Sequence, residues 1–214
     1  MCTTQMKLGN PIRGRLNSCL FYMLDGYVHY KYGKRKTKLF ADLPKSVVEI
    51  GPGGGANMRY LKTGTRMIAI EPNPYMHKRL RAKARKYAVN IDIRPSGAER
   101  MDIASNSVDA VFSTLTLCTI GDEKEGLNEI KRVLKPGGKF FFLEHVGARK
   151  GSLLRKIQEW VHRPWFWLFE GCHTHKDIAK SIRDAGFAEV HMENFKLYSP
   201  FIPITPQISG YALK

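Results

Sequence analysis

Residues 47–57 read Val47-Val48-Glu49-Ile50-Gly51-Pro52-Gly53-Gly54-Gly55-Ala56-Asn57. Val47, Val48 and Ile50 make a short apolar run of the kind that forms a buried strand. Glycines at 51, 53, 54 and 55 then permit a tight turn and close approach of a ligand to the backbone. Asn57, Met58, Tyr60 and Leu61 follow with a pattern that opens a helix over residues 57–61. Strand, glycine turn and helix form the first unit of a doubly wound sheet, whose ligands lie over that turn. The pattern Glu49-x-Gly51-x-Gly53-x-Gly55 differs from the dinucleotide fingerprint, and no Gly-Lys-Ser/Thr follows to make a P-loop. An acid two residues before the first glycine suits a ligand bearing hydroxyls and positive charge better than a pyrophosphate.

Upstream, residues 1–15 read as poorly ordered, with Gly9, Pro11 and Gly14 as breakers. Residues 16–42 read as helical, interrupted near Gly26 and Gly33, with a second helix over 34–43. Residues 1–43 are expected to form an N-terminal helical lid, and residues 44–214 the main domain. Downstream, strands over 47–51, 67–70, 89–93, 107–112 and 139–145 are separated by helices over 75–87 and 123–134, which predicts a parallel sheet. An aromatic insertion over 149–172 contains a helix broken before Pro164, and another helix spans 176–185. Strands over 189–195 and 207–213 are joined by a proline-rich loop too short for a crossover helix, so they are expected to be antiparallel. The predicted fold is α/β and Rossmann-like: seven strands, mostly parallel with one reversed, and helices on both faces.

Four further stretches carry chemistry. Glu71 ends the second strand 20 residues after Gly51, where a carboxylate can accept from both hydroxyls of a ribose. Pro72 beside it offers an apolar face to a base. Gly97, Ala98 and Glu99 follow the third strand, where a backbone carbonyl or an acid can accept from an exocyclic amine. Thr114 and Leu115 close the fourth strand. Leu134-Lys135-Pro136-Gly137-Gly138 turns the chain into a Phe-rich fifth strand ending Leu143-Glu144-His145-Val146.

These stretches, in this order, resemble the class I S-adenosylmethionine-dependent methyltransferases. The resemblance implies that Glu49, Gly51, Gly53, Gly55, Glu71, Pro72, Gly97, Ala98, Glu99, Thr114 and Leu115 bind S-adenosylmethionine. Gly97 stands where related enzymes often carry an aspartate. No Asn/Asp-Pro-Pro-Tyr/Phe follows the fourth strand, which counts against methylation of base amines. The finer resemblance is to the membrane-associated thiol methyltransferases, the methyltransferase-like 7 family. It rests on Glu71-Pro72-Asn73-Pro74, Thr114-Leu115-x-Leu117-Cys118, Leu143-Glu144-His145-Val146 and Glu170-Gly171-Cys172. That family begins with a long hydrophobic anchor that has no counterpart here, so any membrane contact is expected to be peripheral.

The resemblance implies methyl transfer to a small, lipophilic acceptor, with a thiol favoured and phospholipid amine, quinone carbon or other N, O and C acceptors left open. His145 lies at the carboxyl end of the fifth strand, where sites of this fold sit, and is a candidate general base. Glu144 is its neighbour on the opposite face of the strand. A histidine bonded to Glu144 purely for structure is the alternative. Tyr27, Trp165, Cys172 and His173 are candidate acceptor-binding residues. Trp160 reads as lid or as core. His173 and His175, two apart, do not converge on a helix, and no metal is expected.

Composition bounds the rest. The chain of 214 residues carries 35 Lys and Arg against 19 Asp and Glu, a net charge of +16. That charge attracts anionic membrane or nucleic acid, or simply solvates helix faces. No RNA-binding motif accompanies it; an RNA-binding or membrane-binding module retaining the fold is the non-enzymatic alternative. Cys2, Cys19, Cys118 and Cys172 are scattered, which fits a reducing intracellular compartment, cytoplasmic or at a membrane surface. No apolar run approaches the ~18 residues of a membrane span.

Overall fold

The computed structural model describes residues 11–214; the reading of residues 1–10 lies outside them. The chain runs α1 (Pro11–Leu39), β1 (Ser46–Ile50), β2 (Arg66–Ile70), α2 (Pro74–Lys86), β3 (Asn90–Arg94), β4 (Val108–Thr114), α3 (Glu123–Val133), β5 (Leu134–His145), α4 (Leu153–Trp160), α5 (His162–Leu168), α6 (Ile178–Asp184), β6 (Glu189–Lys196) and β7 (Pro206–Leu213). The seven strands form one sheet in the order β3-β2-β1-β4-β5-β7-β6. β7 is antiparallel to both neighbours, and every other pairing is parallel. The strand order reverses between β1 and β4, and a crevice for ligands opens at the carboxyl ends of such strands.

Period-two alternation divides the core. Val111, Phe140 and Phe142 face α3 and α6, packing with Leu127, Ile130 and Ile182. Phe112 and Phe141 face the other way, onto Phe40, Met67 and Leu80. Each fully buried Phe contributes about 1.5–3 kcal/mol. The helices are started by side-chain oxygens: Asn73 accepts from Tyr75 N, Asp122 from Glu125 N, Ser152 from Arg155 N and Asp177 from Lys180 N. At the far end of the sheet Gly210 is squeezed between strands, where a Cβ would come within 1.9 Å of the His191 carbonyl oxygen.

Four expectations are corrected. Residues 11–15, read as poorly ordered with Pro11 and Gly14 as breakers, are helical and open α1, where proline is tolerated in the first turn. α1 is unbroken through Gly26 and Gly33, because a helical glycine costs only about 1 kcal/mol relative to alanine and tertiary contacts outweigh it. Asp25 pairs with Arg59 and with Lys83 at 2.6 Å, Ser18 donates to the Tyr75 carbonyl at 3.0 Å, and Tyr32, Val28 and Leu39 pack with Leu143 and Leu197. The helix expected over residues 57–61 is a single 3-10 turn, Met58–Tyr60, and Phe40 and Leu43 from the end of the N-terminal segment share that face with Met58. Trp160 is neither core nor cavity wall; it is 84% exposed. Pro164 lies inside α5, and the break falls at Val161.

Candidate active site

A cavity of about 1430 Å³ opens at the carboxyl ends of β1, β2, β4 and β5, with α1 along one side and α5 along another. Gly51 holds φ +62°, and a Cβ there would meet Thr116 Cγ2 at 2.3 Å. Only glycine fits where the turn presses against the loop after β4. The Gly53 amide donates to Glu71 Oε2 at 2.8 Å, and the Asn73 amide donates to Oε1 at 2.8 Å. The end of β2 is thereby locked to the glycine turn. Burial pushes the Glu71 carboxyl up to about 7 against the pull of the two amides, and Glu170 nearby adds to the rise. Glu71 lines the cavity, and each carboxylate oxygen, holding one amide, has capacity for a further hydrogen bond.

Beneath the turn lies a buried polar chain. Lys36 Nζ donates to Asn57 Oδ1 at 2.7 Å, and Asn57 Nδ2 donates to Glu49 Oε1 at 2.6 Å and to Thr114 Oγ1 at 2.9 Å. Burial lowers Lys36 to about 8, partly offset by Glu49, and burial raises Glu49 to about 7. Lys36, Asn57 and Thr114 line the cavity, whereas Glu49 and Gly55 do not. The placement of Glu49 and Gly55 against the donor is corrected accordingly. Glu49 holds Asn57 from below, and Gly55 packs on Leu80, Lys83 and Met58.

Pro72, Gly97, Ala98, Glu99 and Leu115 all line the cavity. Glu99 accepts from the Gly121 amide at 2.9 Å, which ties two loops of the wall together. Leu115 takes φ +57°, and the turn after it is closed by Glu144. That carboxylate accepts from Ser113 Oγ at 2.8 Å, Thr116 N at 2.9 Å and Leu117 N at 3.2 Å. Burial raises it to about 7. Glu144 faces away from the cavity, so its assignment to catalysis is corrected: its oxygens are committed to the turn. It makes no bond to His145.

His145 does face the cavity, as strand alternation requires. Its Nε2 lies 3.0 Å from Cys172 Sγ, which also receives Trp165 Nε1–H at 3.2 Å and the Cys118 thiol at 3.3 Å. The bond from Cys118 holds Cys172 well below the ordinary thiol range and, with burial, keeps Cys118 well above it. Burial disfavours charge on His145, but Cys172 outweighs it and the pKa lies above the ordinary imidazole value. Around this floor stand Tyr27, Trp165, Phe169 and Phe201; Trp165 and Phe169 rings lie 4.2 Å apart. His173 also lines the cavity, stacked 5.0 Å from His162, and burial lowers it to about 4. Lys36, Asn57 and His162 have no site role in the sequence reading, yet line the cavity. Lys36 sits in a basic run, and nothing local separates it from its neighbours.

Residues 48–142 match the methyltransferase domain family. The chain is 31% identical to thiol S-methyltransferase TMT1A of Homo sapiens over 191 residues, covering 84% of this chain and 78% of that protein. It is 32% identical to thiol S-methyltransferase TMT1B of Rattus norvegicus over 195 residues, covering 86% and 80%. The chain belongs to this family of S-adenosylmethionine-dependent methyltransferases. A crystal structure of an S-adenosylmethionine-dependent methyltransferase from Thermotoga maritima superposes with a TM-score of 0.67 at 20% identity, covering 94% of this chain and 99% of that one. The methyltransferase fold is therefore shared well beyond close relatives. S-adenosylmethionine fits the residues present. A near-buried carboxylate, Glu71, stands beside the glycine turn, and the buried Lys36 amine lines the same cavity. The cavity exceeds the ~300–1,000 Å³ of an ordinary ligand site, leaving room for donor and acceptor together. Among the described residues, no helix of the methyltransferase is long and apolar enough to cross a membrane.

Proposed function

We propose that this methyltransferase transfers the methyl group of S-adenosylmethionine to the sulfur of a small lipophilic thiol. The carrying observation is the continuity of the glycine turn with an aromatic arm whose floor carries His145 Nε2 against Cys172 Sγ. Such an aromatic wall suits a lipophilic acceptor, and a thiol is polarisable with an ordinary pKa near ~8.5 that leaves it close to ionising. The names of the curated relatives support the same acceptor.

In this reading Glu71 accepts from the ribose hydroxyls, Pro72 and Ala98 bound the base, and Lys36 with Asn57 meets the carboxylate of the amino-acid end. The bound sulfonium supplies a carbon electrophile whose leaving group is already activated. What remains for the protein is alignment and exclusion of water. Tyr27, Trp165, Phe169 and Phe201 do both for the acceptor. A screen of matched thiols, phenols, alcohols and amines with methyl-labelled donor tests the proposal. Turnover of thiols alone is expected, and turnover of alcohols or amines alone overturns it.

The same proposal extends to reversible contact with an anionic membrane. Trp167 lines the cavity yet is 54% exposed, and Trp160 and Leu168 are exposed beside it, so the acceptor arm opens beside an apolar rim on a basic chain. Sedimentation with anionic but not zwitterionic vesicles is expected; no sedimentation with either refutes the contact.

A further inference from the structure

Cys118, His145 and Cys172 come from three separate elements: the 3-10 turn after β4, the end of β5 and the loop after α5. They are 1%, 3% and 6% exposed. Their ligand atoms all lie within 4.8 Å of one another. Cys118 Sγ is 3.3 Å and His145 Nε2 3.0 Å from Cys172 Sγ. A tetrahedral zinc ion with Zn–S of ~2.3 Å and Zn–N of ~2.0–2.1 Å spaces two sulfurs ~3.8 Å and a sulfur–nitrogen pair ~3.5 Å apart. The two contacts need to open by about half an ångström while Cys118 and His145, within 4.8 Å, settle toward ~3.5 Å, within the reach of small χ rotations. Two soft sulfurs and an imidazole are a donor set that selects zinc over magnesium or calcium.

We propose that Cys118, His145 and Cys172 form a zinc site. Among the described residues no fourth cysteine, histidine or carboxylate joins the group, and His145 and Cys172 line the cavity. Three protein ligands with the fourth position turned to a cavity is the arrangement of a catalytic zinc rather than a structural one. Trp165 Nε1–H donates to Cys172 Sγ, the outer contact that orients a ligand sulfur. His145 then serves as a ligand, not as the base expected from its place on the strand.

Resting on the thiol reading above, the fourth position takes the acceptor sulfur. The acceptor thiol gives its proton to solvent on binding. Its sulfur attacks the methyl carbon, the new S–C bond forms as the donor S–C bond breaks, and the electron pair returns to the donor sulfur, which leaves as a neutral thioether. The zinc is neither oxidised nor reduced.

The test uses the full chain, purified with reductant, stripped by a chelator and titrated with Zn²⁺ against a chromophoric competitor, without donor or acceptor. One zinc per chain is expected by elemental analysis. Co²⁺ in its place is expected to give thiolate-to-cobalt charge-transfer absorption. Cys118→Ser and Cys172→Ser are each expected to weaken uptake about 100-fold or more, with S-adenosylhomocysteine binding retained as the sign of a folded chain. A wild-type chain with both thiols free that takes up no zinc overturns the site, as does a Cys118–Cys172 disulfide whose reduction restores no uptake. Zinc uptake together with methylation of alcohols only leaves the site standing and removes the thiol reading.

Discussion

Replacing Glu71 by alanine removes the carboxylate that locks β2 to the glycine turn and that is proposed to hold the donor ribose. Oε2 and Oε1 each hold a backbone amide at 2.8 Å, so the side chain cannot swing away to hide the loss. A hydrogen bond to a charged acceptor is worth about 1.5–3 kcal/mol, and two ribose hydroxyls give roughly 3–6 kcal/mol, about 10²- to 10⁴-fold in affinity. Titration calorimetry with S-adenosylhomocysteine reads this directly. Glu71→Gln separates function from folding. Burial lifts the carboxyl to about 7, so in the folded state it holds its proton more tightly than when unfolded. Its contribution to stability is full below the ordinary carboxylate range and is lost as pH rises through about 7. At pH 8 the charge therefore costs stability, and the ligand-free Gln variant is expected to melt no lower than wild type while binding more weakly. Wild-type affinity is also expected to fall as pH drops below about 7, with that limb absent in Glu71→Gln. A folded Glu71→Ala protein that binds within about threefold of wild type refutes the assignment.

Lys36→Met is expected to weaken S-adenosylhomocysteine binding about 10- to 100-fold and to leave 5′-methylthioadenosine, which lacks the amino-acid end, nearly unaffected; equal losses for both would place Lys36 elsewhere. Because Lys36 sits near 8, wild-type binding of the first ligand alone is expected to decline above that pH. Gly51→Ala forces a left-handed alanine, costing about 1–2 kcal/mol, onto Thr116 Cγ2 at 2.3 Å, and should lower both melting temperature and donor affinity; unchanged values by scanning fluorimetry and calorimetry count against it. Gly210→Ala meets backbone rather than side chain at 1.9 Å, so a loss of roughly 4 kcal/mol or more is expected, read as failure to yield cooperative unfolding. Finally, Glu49, Glu71 and Glu144 are each raised to about 7 by burial, which favours the fold at pH 6 over pH 8. Lys36, lowered to about 8, and the lowered His162, His173 and His175 act in the opposite sense with less weight over this window. The ligand-free protein is therefore expected to melt higher at pH 6 than at pH 8, and a flat or inverted profile contradicts those burials.

The legible parts of this chain are those whose chemistry is local. The glycine turn, Glu71 at the end of β2, and the succession of seven strands along the chain are encoded by runs of a few residues and their spacing. Glu49 and Glu144 carried the right chemistry in the wrong direction. An acid near a glycine turn or at a strand end can face the ligand or brace the loop beneath it, and only the partners, Asn57 for one and the Thr116 and Leu117 amides for the other, decide which. Lys36 enters the site through Asn57, 21 residues away, a pairing that no short window contains. The same holds for Cys118 and Cys172, 54 residues apart. The continuity of α1 and the exposure of Trp160 escape the sequence because helix breaks and burial depend on what packs alongside, and α1 combines ion pairs from Asp25 with the packing of Tyr32, Val28 and Leu39.

The most direct measurement is the rate of transfer of labelled methyl from S-adenosylmethionine to a lipophilic thiol and to the alcohol of the same skeleton, run side by side with wild type and Glu71→Ala. Saturable methylation of the thiol, none of the alcohol, and collapse of thiol turnover in the variant is the predicted result. Preference for the alcohol, or thiol turnover that survives the loss of Glu71 at unchanged donor KM, contradicts the site described above.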